Sequence, residues 1–271
     1  MIRLAGCNDP ILGRPLALYD VADNADGEPD ALDVVYLMVG KMTRRLAALE
    51  PGAKLEIWGP LGNGFPAQQT EHLIMVAGGI GQTPFLALAR EYLGLRRYGD
   101  PPRGGDCPDS CGHRREALVG KNGTVPLNPT TAPRSVPRAK KITLCYGVRS
   151  AEYLAGVEDF RSLGVDVRLA TDDGSLGHRG LVTELIEPAA KSSADPCRLV
   201  CCGPEPMLKA AAGVALRLNL PCQVSLETPM ACGMGICFSC AAKIRDGRGG
   251  WDYRRTCVEG PIFNAADVEF D

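Results

Sequence analysis

The sequence predicts an α/β core, a small β-barrel region before it and a cysteine-bearing module after it. Three observations carry that expectation: apolar strand-like runs alternating with helical segments in the middle of the chain, short strand-and-turn segments upstream, and four cysteines gathered near the C-terminus. A chain of 271 residues exceeds what one core usually organises, and 45% hydrophobic residues can fill two or three. The expected modules are 1–69, 70–220 and 221–271, the second interrupted by an insertion at about 100–140.

Upstream, Val34 to Val39 reads as a strand, Thr43 to Leu49 as a short helix, and Lys54 to Trp58 as a strand that ends at the turn Gly59-Pro60-Leu61-Gly62-Asn63-Gly64. In the middle, Leu73 to Ala77 is a continuous apolar run suited to a parallel strand covered on both faces. It leads into Gly78-Gly79-Ile80-Gly81-Gln82-Thr83-Pro84 and then a helical pattern through Tyr92, with Thr83 suited to the N-cap and Pro84 to the first helical position. Such a turn lets a pyrophosphate approach the backbone at the positive end of a helix dipole. The match to G-x-G-x-x-G is incomplete, since Pro84 stands at the third glycine, so a nucleotide site and a plain tight turn both remain open.

The alternation continues with strands at Ile142 to Val148, Asp166 to Ala170 and Arg198 to Cys202, and helices at Ala151 to Leu163, Leu181 to Ile186 and Pro206 to Leu218. That is a Rossmann-like order, in which ligands bind beyond the carboxyl ends of strands, where Gly78 to Pro84 and Cys202-Gly203-Pro204 both fall. Cys202 reads equally as a small buried hydrophobe or as a cofactor-facing thiol. The stretch from Asp100 to Lys140 is rich in Pro, Gly, Arg and Ser and lacks periodicity, which predicts a disordered surface insertion. Its Cys107, Cys111 and His113 are candidate metal ligands, though three such residues in a loop are more often incidental.

Cys232, Cys237, Cys240 and Cys257 follow C-x4-C-x2-C, with the fourth cysteine after sixteen intervening residues. This is the plant-type spacing of a two-iron, two-sulfur (2Fe-2S) cluster, in which each iron needs two thiolates and one short loop supplies three of the four. Gly233 and Gly235 permit the positive φ that such a wrap requires and bring backbone N–H groups toward the sulfurs. Buried thiols and a zinc site are the competing readings; zinc knuckles usually come as two C-x2-C pairs, and only Cys237 and Cys240 form one.

Thirty basic residues against thirty-two acidic ones leave a net charge of -2, which supplies no general attraction for nucleic acid or an anionic membrane. No apolar run reaches the roughly 18 residues of a membrane span, and the first residues lack the blocks of a signal peptide. Twelve cysteines without an export signal then predict a cytoplasmic protein with metal or redox chemistry instead of a disulfide framework.

Arg14-Pro15-Leu16-Ala17, Gly59 to Phe65, Gly78-Gly79-Ile80-Gly81, Cys145 to Ser150, Thr171-Asp172-Asp173-Gly174, Cys202 to Leu208 and the four-cysteine loop occur in this order. Across nearly the whole chain outside the insertion, the sequence resembles the electron-transfer subunits of NAD-linked dihydroorotate dehydrogenases. The resemblance implies a ferredoxin-reductase-like fold with an FAD-binding barrel, a Rossmann-like NAD domain and a C-terminal 2Fe-2S domain. It implies an oxidoreductase subunit of pyrimidine biosynthesis with no dihydroorotate chemistry and no catalytic residue of its own. Electrons pass from FMN in a separate catalytic subunit through the cluster and FAD to NAD+, in a heterotetramer of two subunits of each kind.

The resemblance places the cluster on Cys232, Cys237, Cys240 and Cys257. It places FAD on Arg14, Pro15, Leu16, Ala17, Tyr36, Leu37, Met38, Met42 and Thr43, and the nicotinamide nucleotide on Gly78, Gly79, Gly81, Cys202, Gly203 and Pro204. Arg14 suits a flavin diphosphate or a solvated turn, and Thr43 a phosphate or a helix cap, two compatible roles. Arg149 and Ser150 suit a 2′-phosphate or the start of a helix, which leaves NAD against NADP open, while His178 and Arg179 read as loop residues. Three positions depart from the family: Ala17 stands where Ser or Thr is usual, Leu37 where Arg is usual and Met42 where Gly is usual. Met1-Ile2-Arg3 aligns with the end of an early barrel strand, so the opening strands are expected upstream of Met1, or a partner over the open edge. The alternatives are a reductase subunit of a sulfide dehydrogenase, hydrogenase or ferredoxin:NADP reductase complex, and a non-enzymatic cluster-binding module. Cys232 bears on the first, because some of those relatives carry Asp there.

Overall fold

The computed structural model describes residues 1–6, 8–66, 68–98 and 138–270. The expected insertion, with Cys107, Cys111 and His113, lies outside the described residues except for its last three. The centre is a seven-stranded sheet. Parallel strands β5 (His72–Gly78), β6 (Lys141–Val148), β7 (Asp166–Thr171) and β8 (His178–Arg179) extend one way, and β9 (Cys197–Cys202) and β10 (Cys222–Ser225) pair on the other side of β5. An antiparallel strand, β13 (Ile262–Asn264), closes the β10 edge. The chain order reverses between β5 and β9, so their carboxyl ends open the crevice in which ligands of such sheets bind.

β5 is apolar from Leu73 to Ala77 because both of its faces are covered. Leu73, Met75 and Ala77 enter a core with Phe85, Leu88 and Tyr92 of α2 (Phe85–Tyr92) and Phe160 of α3 (Val157–Ser162). Ile74 and Val76 enter a second core with Ile186 of α4 (Ile186–Ala190) and Leu208, Ala211 and Ala215 of α5 (Glu205–Arg217). Each buried Leu, Ile or Phe contributes roughly 1.5–3 kcal/mol. Ile244, Ala265 and Val268 from the C-terminal segment join the second core, so the cysteine-bearing region is packed onto the sheet.

The N-terminal region forms two two-stranded ladders: β1 (Ile2–Leu4) with β4 (Leu55–Ile57), and β2 (Asp20–Asp23) with β3 (Pro29–Asp33). The strand expected at Val34 to Val39 is not formed; the paired segment lies just upstream. Asn24 Oδ1 accepts from the Asp26 and Glu28 N–H groups, and Gly27 takes φ +80°, which fixes the β2–β3 turn there. Polar contacts join this region to the sheet domain: Tyr19 donates to Asp159 at 2.5 Å, Tyr98 donates to Asp20 at 2.7 Å, and Arg90 pairs with Asp20 at 3.0 Å.

Four helices differ from expectation. α1 spans Lys41–Ala47, so Thr43 is its third residue and Gly40 its N-cap. The helix expected from Ala151 to Leu163 is a 3-10 turn at Ala151–Tyr153 followed by α3, separated by Gly156 at φ +69°, where a Cβ would lie 2.4 Å from the Tyr19 hydroxyl. Thr83 does not cap α2, because Gly79–Gln82 already forms a 3-10 turn and Thr83 continues it with helical dihedrals. The helix expected at Leu181 to Ile186 is a 3-10 turn, Val182–Leu185, running into α4. Among the described residues no helix is long and apolar enough to cross a membrane.

Candidate functional site

The loop from Ala231 to Cys240 departs from regular structure because its glycines, and Phe238 at φ +55°, take left-handed conformations. Gly233 has φ +67°, and a Cβ on it would lie 2.7 Å from Met1 and 2.8 Å from Leu61. Gly235 has φ +76°, and a Cβ there would lie 2.6 Å from Val258. The resulting wrap turns the Met234 N–H onto Cys232 Sγ at 3.3 Å. The sulfurs of Cys240 and Cys257 lie 3.3 Å apart and buried, while Cys237 is exposed and Cys232 partly so.

Hydrogen bonds from the Met234, Cys237 and Ile236 backbone lower the Cys232 pKa, and the Ser239 hydroxyl and N–H bring Cys237 down to about 6. Burial first, then the neighbouring Cys240, raises Cys257 to about 11. Two outer thiols whose ionisation is eased thus stand above an enclosed inner pair, an arrangement suited to cationic irons, whose charge favours every thiolate. No three His, Cys, Asp or Glu side chains among the described residues converge tightly enough for a single metal ion. Four thiolates around a two-iron core need to spread wider than that.

The turn before β5 clamps this loop. Trp58 Nε1 donates to the Cys232 carbonyl at 3.2 Å, and Asn63 Nδ2 donates to the Glu259 and Ile262 carbonyls at 3.1 and 2.9 Å while its Oδ1 accepts from the Ile262 N–H at 2.9 Å. Gly62 sits at φ +63°, where a Cβ would lie 2.0 Å from the Gly260 carbonyl. Three residues on, Phe65 meets Phe85 at the start of α2 with ring centroids 5.6 Å apart. Sequence reasoning named the 59–65 motif but missed Trp58 and Asn63 as its anchors, since neither has a local signature.

The crevice between β5 and β9 brings the two glycine motifs together. A Cβ on Gly81 would lie 2.1 Å from the Cys202 carbonyl, and one on Gly78 would lie 2.8 Å from Pro204 and 2.7 Å from Met207. Gly203, at φ +154°, would meet Met207 and the Gly78 N at 2.8 and 2.9 Å. Gly79, at φ +55°, has nothing within 4 Å of its Cβ position, so one side of the turn stays open. Cys202 packs against the first core, and burial raises its thiol to about 11. Gln82 was not singled out from the sequence; it is fully buried, and neither of its amide atoms has a hydrogen-bond partner.

Of the expected flavin residues, Arg14 and those of α1 lie beside β1. Arg14 exchanges two backbone hydrogen bonds of 2.9 Å with Ile2, and α1 lies beside the same strand. The Arg14 side chain is exposed, and among the described residues its guanidinium donates to the carbonyls of its own loop, at 3.0 Å for Gly13. Pro15 and Ala17 are exposed and Leu16 is half-buried. Tyr36 is half-buried, Leu37 and Met38 are exposed, and Met42 is buried in α1. The Thr43 hydroxyl accepts from the Gly40 N–H at 3.1 Å, which tightens the first turn of α1.

Residues 227–269 match the family model described as the iron-sulfur cluster binding domain of dihydroorotate dehydrogenase B. A dihydroorotate dehydrogenase B (NAD(+)) electron transfer subunit from Caldanaerobacter subterraneus is 31% identical over 259 residues, covering 96% of this chain and 81% of the relative. One from Geobacillus kaustophilus is 31% identical over 271 residues, covering 98% and 84%. Among solved structures, an NADH-dependent reduced ferredoxin-NADP oxidoreductase shares the fold at TM-score 0.63 and 22% identity, over 96% of this chain and 80% of that one. The human Ncb5or CS-b5R domains align at TM-score 0.51 and 17% identity, over 76% and 53%. These likenesses and the cysteine loop converge: the chain belongs to the family of dihydroorotate dehydrogenase B (NAD(+)) electron transfer subunits.

Proposed function

We propose that this chain reoxidises an FMN-containing dihydroorotate dehydrogenase catalytic subunit, passing its electrons through a 2Fe-2S cluster and FAD to NAD+ during pyrimidine synthesis, in an assembly of two subunits of each kind. One observation carries the reading: the segment from Trp58 to Phe65 touches the cysteine loop at one end and the first residue of α2, beyond the glycine turn, at the other. Two ligand regions expected to exchange electrons, those of the cluster and the nicotinamide nucleotide, are thereby held by one short stretch of chain.

When bound, a flavin exchanges electron pairs with nicotinamide and single electrons with an iron-sulfur cluster. The protein's part is to hold and separate these groups. Cys232, Cys237, Cys240 and Cys257 supply the thiolates, and the Met234 N–H softens the charge at Cys232. Arg14, with Pro15, Leu16 and Ala17, presents a guanidinium to the flavin diphosphate; Tyr36, Leu37, Met38, Met42 and Thr43 line the remainder of that region. Gly78, Gly79 and Gly81 leave the turn bare of side chains, and Cys202, Gly203 and Pro204 form the opposite wall of the crevice. The proposed domain limits lie near residues 69 and 220, with β10 beyond the second limit completing the central sheet, and the proposed setting is the cytoplasm.

The test is co-expression with a candidate catalytic subunit followed by an assay of dihydroorotate-dependent NADH formation. Co-purification in equal amounts with NADH formed only when both chains are present is the expected result. NADH formation by the catalytic subunit alone at the same rate contradicts it.

A further inference from the structure

Gln82 is the last residue of the 3-10 turn Gly79–Gln82, at the mouth of the β5/β9 crevice, and the mechanism outlined above gives it no task. Its side chain is 0% exposed, yet both Oε1 and Nε2 lack a partner. Buried amides are almost always hydrogen-bonded, and an orphaned one at a ligand site points to a partner that arrives with the ligand. An aliphatic side chain would fill the same space without the cost of desolvating an amide.

The local geometry gives this amide a way out. Gln82 closes the turn three residues after Gly79, whose left-handed φ of +55° bends the backbone at its start. Gly79 carries no Cβ, and nothing lies within 4 Å of where one would be. The backbone cannot yield instead, because Gly81 and Gly78 are wedged against Cys202, Pro204 and Met207. Movement of the Gln82 side chain into the unfilled space at Gly79 would present a donor and an acceptor side by side.

We propose that Gln82 is a recognition residue for the nicotinamide carboxamide, leaving its enclosed position when the nucleotide binds and pairing amide to amide with that group. The inference rests on the reading that the nicotinamide nucleotide occupies the β5/β9 crevice. It makes Gln82 a determinant of the base, distinct from the glycines that admit the pyrophosphate.

The test compares the flavin- and cluster-loaded wild-type chain with Gln82→Leu, using equilibrium binding of NAD+, its 3-acetylpyridine analogue, which keeps the carbonyl but lacks the amide donor, and ADP-ribose, which lacks the base. The wild type is expected to prefer NAD+ over the analogue about 10-fold more strongly than the variant does, the value of roughly one buried hydrogen bond. ADP-ribose affinity and flavin content are expected to match in the two proteins, and the melting temperature of unliganded Gln82→Leu to equal or exceed that of the wild type. Equal discrimination in both proteins overturns the proposal, as does a parallel loss of ADP-ribose binding, a loss of flavin or a lower melting temperature in the variant, each of which marks a structural role. Hydrogen exchange with ADP-ribose bound separates the underlying reading: protection at 78–82 supports the crevice, and protection elsewhere with none there overturns the site itself.

Discussion

The glycine turn at 78–81 and the cysteine loop at 231–240 both use glycines to bend the backbone around a ligand, but they are built in opposite ways. The turn is an extension of the core: β5 is buried on both faces, and Gly81 is pressed against the Cys202 carbonyl so closely that its Cα surface is part of the packing. The cysteine loop lies at the surface, with Met234, Ile236 and Phe238 exposed, and is held by isolated polar ties such as Trp58 to Cys232 and Arg255 to the Gly235 carbonyl. A nucleotide that comes and goes calls for a rigid, preformed backbone, whereas a resident cluster supplies its own bonds and needs only ligands in the right order. The first site is specified by close packing, the second by four thiols.

The largest effect separates the two sites outright. Cys257→Ser removes a ligand from the buried pair and is expected to abolish the cluster while sparing nucleotide binding, checked by iron content and by ADP-ribose affinity. Gly81→Ala should do the reverse: its Cβ would stand 2.1 Å from a carbonyl of a core strand, which costs about 4 kcal/mol and removes ADP-ribose binding, visible as a lowered urea midpoint. If Gly81→Ala leaves stability unchanged, the turn is as adaptable as the loop and the contrast collapses.

A smaller effect probes the rigid side through pH. His72, at the start of β5, is wholly buried; its Nε2 meets Thr143 Oγ1 at 2.9 Å and its Nδ1 has no partner. Burial, then the charges of Lys141 and Arg168, lowers its pKa to about 4 from 6.5. The unfolded chain therefore binds the proton more readily, so His72 imposes no penalty above pH 6.5 and destabilises the fold as pH falls from there toward 4, by about 3 kcal/mol in all. Urea midpoints at pH 7.5 and 4.5 should differ less in His72→Asn than in the wild type. Smallest is Asn63→Ala, which strips the Glu259 and Ile262 backbone of three hydrogen bonds and should cost about 2 kcal/mol, with iron retained at neutral pH.

The same contrast explains what was legible in the sequence. The cysteine loop is local, so spacing alone proposes its ligands, and Gly233 and Gly235 announce the left-handed turns that the structure contains. The parallel strands were legible because burial on both faces leaves continuous apolar runs such as Leu73 to Ala77. Long-range contacts were not. β3 is exposed along its whole length and holds its place by backbone pairing beyond the Asn24–Gly27 turn, so apolar Val34 to Val39 looked the better strand. The break at Gly156 depends on Tyr19, 137 residues earlier in the chain, and the enclosure of Gln82 depends on the whole crevice.

An electron path through this one chain is expected to join the nucleotide crevice to the cysteine loop. Its most direct test is an anaerobic absorption spectrum of the purified chain, with flavin and iron quantified, before and after NADH, beside the Cys257→Ser variant. The account predicts that NADH bleaches both flavin and cluster bands in the wild type and the flavin band alone in the variant. Flavin bleaching with an intact cluster spectrum in the wild type would contradict it.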